Sequence, residues 1–103
     1  MDTWQPITAE ELEALIATQL ADCSPEQQQV FERCKIAPRL VPIERNGSTE
    51  SVFVVAQIRD FVLYYEDVED GFNISSLSQD GAIASPGYEE WELCHALQHL
   101  VAA

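Results

Sequence analysis

From Tyr64 to Phe72 the chain reads Tyr-Tyr-Glu-Asp-Val-Glu-Asp-Gly-Phe. Glu66, Asp67, Glu69 and Asp70 would face Arg or Lys of a partner. Tyr64, Tyr65 and Phe72 would supply rigid contact area around them, with Trp91 as a further anchor. Carboxylates also bind hard cations. A calcium loop, however, spaces its acids at alternate positions before a glycine at the sixth and a glutamate at the twelfth. The acids here do not follow that spacing, so no calcium is expected. The competing reading of such a run is a solvated acidic loop.

Glu92, His95 and His99 fall on one side of a helix at i, i+3 and i+7. Histidines four apart can bind zinc or nickel, yet a specific site needs further ligands held by the fold. None is signposted, so the trio is a weak metal candidate and no metal or other cofactor is expected. Cys94 and His95 are adjacent, which on a helix points them about 100° apart and not at each other. The chain has no Gly-x-Ser-x-Gly, phosphate loop or dinucleotide fingerprint. Binding without catalysis is the expectation.

Charge is the strongest clue to a partner. Residues 1–32 hold seven acids and no Lys or Arg, and residues 60–103 hold nine acids and none. All five bases, Arg33, Lys35, Arg39, Arg45 and Arg59, lie between, beside Glu44 and Glu50 only. A formal net charge of −13 repels nucleic acid and anionic membrane and attracts cationic partners. The expected function is a small acidic binding protein that engages a basic protein surface, in the manner of an inhibitor or immunity protein. The alternative is a homodimeric structural or accessory protein whose acidity serves solubility only; a third reading is that the acidity reflects a high-salt habitat.

These groups are positioned by a chain of 103 residues, 47 % hydrophobic and 22 % charged, which suits one domain over 1–103. Its longest apolar runs, Val52–Ala56 and Phe61–Tyr65, are far short of the roughly twenty residues that span a bilayer. No secretory signal is expected from Met-Asp-Thr-Trp-Gln-Pro. Cys23, Cys34 and Cys94 make an odd count without Cys-x-x-Cys spacing, which suits buried reduced thiols and a cytoplasmic location.

Thr8 with Glu11 forms a capping box ahead of Leu12, Leu15, Ile16 and Leu20, predicting a first helix stapled by Ile7. Ser24, Pro25 and Gln27 start a second, with Val30, Phe31 and Cys34 inward and Gln27, Gln28 and Gln29 in solvent. Pro38 and Pro42 confine the extended stretch Arg39–Arg45 to a sheet edge. Asn46-Gly47 predicts a hairpin into a strand over Ser51–Ile58. Pairing around Arg59-Asp60 leads to a strand from Phe61, with Val54 opposite Tyr65 and Ala56 opposite Leu63. A short strand over Phe72–Ser75 follows, then a helix from Ser85-Pro86 to Leu100, with Leu93, Leu97, Leu100 and Val101 inward.

The predicted class is α+β: two N-terminal helices, a three- or four-stranded antiparallel sheet and one C-terminal helix. Both faces of the central strands are apolar. Val52, Val54, Ala56, Ile58, Phe61, Leu63 and Tyr65 would line one, and Phe53, Val55, Val62 and Tyr64 the other. The second face therefore needs a cover, for which helices on both sides are the expectation and a second copy of the chain the alternative.

Overall fold

The computed structural model describes residues 6–45, 47–67, 70–84 and 90–102. Helices α1 (Ala9–Leu20) and α2 (Pro25–Cys34) precede strands β1 (Lys35–Arg45), β2 (Ser48–Ile58), β3 (Phe61–Glu66) and β4 (Gly71–Ser76), and helix α3 (Leu93–Ala102) ends the order. The four strands form one antiparallel sheet in sequence order, so the class and element order are those the sequence predicts.

Local chemistry explains the helix starts. The Thr8 hydroxyl accepts from Glu11 N at 3.1 Å while the Glu11 carboxylate accepts from Thr8 N at 3.0 Å. Ser24 and Gln27 repeat the arrangement for α2, with Pro25 in the first turn. The strands turn tightly. Arg45 pairs with Ser48 across Gly47, whose φ of +79° is available to glycine at no steric cost; Asn46 lies outside the described residues. Ile58 pairs with Phe61 across Arg59-Asp60. β1 is an edge strand, as its two prolines require.

The strand register departs from expectation by one residue. Ala56 does face Leu63, but Val54 faces Tyr64 and not Tyr65, because Val55 is an extra residue in β2. Side chains alternate along a strand, so one inserted residue exchanges the faces beyond it. Val52 and Val54 consequently join Val62 and Tyr64 on one side, and Phe53, Val55 and Ala56 join Leu63 and Tyr65 on the other.

All three helices cover that latter side, where Leu12, Ile16, Phe31, Leu93 and Leu97 complete the core. The expectation of helices on both faces is thus corrected. After β4 the chain folds back, Ala84 N donating to Ser76 O and Ile83 N to Pro42 O at 2.9 Å on β1. Ile83 forms a parallel bridge with Ile43, so the sheet curls until this segment joins its two edges. Leu77 and Ile83 enclose Val41, Ile43, Val52, Val54, Val62 and Tyr64, every one of the six buried. The face proposed for a second copy of the chain is closed from within.

The last helix also begins later than predicted. Residues 85–89 lie outside the described set, and Glu90–Glu92 are not helical. Trp91 exchanges two backbone hydrogen bonds with Phe72, at 2.8 and 2.9 Å, and Glu90 has φ +52°. A chain pinned as a partner of β4 cannot close a helical turn there. Glu90 also passes so near Gly71 that a Cβ on that glycine would come within 2.5 Å of its Cα. At the far end Val101, expected inward, is exposed.

Cys23, in the turn after α1, is bonded to Cys94 on α3, with Cα atoms 5.3 Å apart. This corrects the expectation of three reduced thiols and leaves Cys34, which is buried, as the free one. The bond closes a span of 71 residues, worth about 4 kcal/mol in the chain-entropy account. Thiol titration of the unfolded, unreduced chain should therefore count one thiol, and reduction should lower stability by up to that amount. A count of three would contradict the bond.

Candidate functional site

The residues singled out between Tyr64 and Phe72 do come together, but mostly inside the molecule. β3 and β4 pair Tyr64 with Asn73, Tyr65 with Phe72 and Glu66 with Gly71. Tyr64 points into the closed side of the sheet; Tyr65 and Phe72 point under the helices, their rings edge to face at 5.1 Å. Tyr64, Tyr65, Glu66 and Phe72 are all buried and have no surface to offer a partner, which corrects their assignment as contact residues. The apolar faces of the sheet claim the aromatics first, since burying each ring removes a large apolar area from water.

The carboxylates at the turn hold the chain to itself. Asp67 accepts from Ile7 N at 2.7 Å, fixing the approach to α1 across 60 residues of sequence. Asp70, at φ +56°, accepts from the Tyr65 hydroxyl at 3.1 Å. Burial raises the pKa of Tyr65, and the hydrogen bond to Asp70 with the charges of Asp70 and Asp67 raises it further. Glu69 lies outside the described residues. Asp70 is exposed and Asp67 half-buried, so among the described residues of the turn these two carboxylates reach solvent.

Trp91 is half-buried and lies flat against His99, ring centroids 4.1 Å apart and planes within 4°. His95 and Glu92 are exposed. Among the described residues no group of three or more His, Cys, Asp or Glu is placed to hold a metal ion.

Four residues make contacts between elements that the sequence did not signal, although Gln27 was legible as a helix cap. Gln19 Oε1 accepts from Leu93 N at 2.7 Å, satisfying a free donor at the start of α3. Gln28 Nε2 donates to the carbonyls of Leu20 and Cys23 at the end of α1, both at 3.1 Å. Gln27 Nε2 donates to Cys94 O at 3.2 Å. Gln27 and Gln28, expected in solvent, thus bind the helices together beside the disulfide, where Cys23 is itself the fourth such residue. Gln29 is exposed as expected.

The negative charge sits on the outside of this helical layer. Glu10, Glu11, Glu13, Asp22, Glu26, Glu32 and Glu92 are all exposed there. Arg33 on α2 and Lys35 just beyond it are the nearby cations. Among the described residues a single ion pair forms, Lys35 Nζ to Glu32 Oε2 at 3.0 Å, between two well-exposed side chains. Some of this acidity has a local cause, because Glu10, Glu11 and Glu26 occupy first turns, where the helix dipole favours negative charge. Arg39 and Arg59 are exposed on the sheet and its turns, and so are Glu44, Glu50, Asp60 and, beyond β4, Asp80. Asp80 is held below the usual carboxylate range by a hydrogen bond from Ser78. No described helix is long and apolar enough to cross a membrane.

Comparison of the chain with protein-family models, with curated proteins and with solved structures finds no match.

Tyr65 makes the turn testable. An unfolded tyrosine ionises near pH 10, whereas folded Tyr65 keeps its proton to higher pH. Below that range both states are protonated, and above it the unfolded state alone releases a proton. Stability should therefore fall as pH rises past about 10, and Tyr65→Phe should flatten that fall. A spectrophotometric titration with all tyrosines ionising together at the ordinary value would contradict the placement.

Proposed function

We propose that the chain is a small acidic binding protein, not an enzyme, and that it engages a basic surface of another protein in the manner of an inhibitor. The observation that supports this reading is the helical layer with seven exposed carboxylates and one ion pair among the described residues. Carboxylates not neutralised within the molecule project a field that steers a cationic partner and speeds its encounter. The contact surface is the outer side of α1 and α2 and not the β3–β4 turn, whose aromatics are buried. The homodimer reading is not carried further, because the sheet face on which it depended is buried within one chain.

The Cys23–Cys94 bond favours an oxidising compartment over the cytoplasm expected from reduced thiols. An inhibitor acting there would meet its partner outside the reducing cell interior.

A partner captured at low salt and released by a salt step supplies the test. Replacing Glu10, Glu13, Glu26 and Glu32 together by Gln should slow association about tenfold at low salt and flatten its salt dependence. Asp67→Asn should instead lower stability by about 1 kcal/mol and leave association unchanged. Unchanged association in the helical variant would remove this surface from the reading.

A further inference from the structure

We propose that the groove between α1, the end of α2 and the start of β1 docks a peptide segment of the partner that presents an apolar anchor side chain flanked by Lys or Arg. This rests on the reading above and adds where the partner is held and which sequence is recognised. The groove has a volume of about 390 Å³, within the range of binding pockets. Half-buried Leu20 and Ile36 give it an apolar lining above the buried Phe31 and Val55, and Glu13 and Glu32 stand on opposing elements at its rim.

The groove exists because two irregularities of the sheet coincide. β1 pairs Lys35 with Ala56 and next Arg39 with Val54, so β1 advances four residues where β2 advances two. The intervening stretch, Ile36 to Pro38, leaves the regular ladder and lines the groove. Opposite it lies Val55, the residue that is itself inserted relative to β3. Such irregularities re-aim side chains and are frequent beside functional sites. α1 packs chiefly on α3, and α2 on α3 and β2, which leaves the space over this stretch unfilled.

Charge selects the occupant. Among the residues that line the groove Glu13 and Glu32 face one cation, Lys35, and Glu10 lies three residues before Glu13 on the same side of α1. The Lys35–Glu32 pair is exposed, and such pairs hold weakly, so an incoming Arg can replace Lys35 at Glu32. A second copy of this chain would bring net charge of the same sign to an acidic rim. A neutral apolar ligand would leave the carboxylates unused. A Lys- or Arg-flanked apolar side chain satisfies both lining and rim.

The test uses the full oxidised chain, isotope-labelled, and three synthetic peptides of equal length at low salt: leucine–lysine, serine–lysine of equal charge, and neutral leucine–serine. The leucine–lysine peptide should shift the amide signals of Ala17, Leu20, Phe31 and Ala37 and bind about tenfold more tightly than serine–lysine. Ala17→Trp, on an exposed wall position, should bring its affinity down to the serine–lysine level while leaving the remaining spectrum folded. Equal, diffuse binding of both lysine peptides would overturn the groove and leave the acidic-surface reading standing. Binding of leucine–serine as tight as leucine–lysine would overturn the charged half of the recognition. No binding by either lysine peptide would overturn the groove and the acidic-surface reading together.

Discussion

A sheet that is apolar on both faces must be covered twice, and this requirement governs the rest of the molecule. One face is covered by three helices, held to one another by the Cys23–Cys94 bond and by the side chains of Gln19, Gln27 and Gln28. The other is covered by the sheet itself, which curls until Ile83 reaches Pro42 on the opposite edge. That contact also gives a backbone partner to an edge strand already interrupted by Pro38 and Pro42, so little of β1 is left as a template for aggregation. Tyr64 and Phe72 are consumed by the two cores, and the acidic turn between them becomes a structural clasp on Ile7 and Tyr65.

With the aromatics inside, what the chain shows to other molecules is decided by charge and by incomplete packing. Carboxylates cannot enter either core without partners, so most stay in solvent, seven of them on the outer side of the helical layer. Several also stabilise the helix ends on which they sit. The cations fall mainly on strands and turns, apart from most of these acids, which is why the opposite charges do not cancel locally. Where β1 and β2 lose their common register the helical cover is imperfect, and Leu20 and Ile36 stay half-exposed beside that acidic surface.

Short-range chemistry was legible in the sequence. Thr8 with Glu11 and Ser24 with Gln27 are reciprocal caps written within four residues, and Pro38, Pro42, Gly47 and Arg59-Asp60 fix edge and turns by local conformation. The hidden features all depend on distant pairing. Nothing near Val55 marks it as an inserted residue, because the insertion exists only relative to Val54–Tyr64 and Ala56–Leu63. The partner of Cys23 is 71 residues away, and the glutamines act on backbone groups of other helices. Tyr64, Tyr65 and Phe72 looked like a surface cluster because their proximity was legible and their direction was not.

Seven carboxylates lie exposed on the helical layer with one ion pair among the described residues, and salt reports on that charge without any partner. Raising sodium chloride from about 0.01 to 0.15 M shortens the screening length from about 30 to about 8 Å and weakens repulsion between exposed charges. The Tm of the oxidised chain should rise over that range. A Tm that falls, or does not move, would mean that the carboxylates are engaged by cations, contradicting the account.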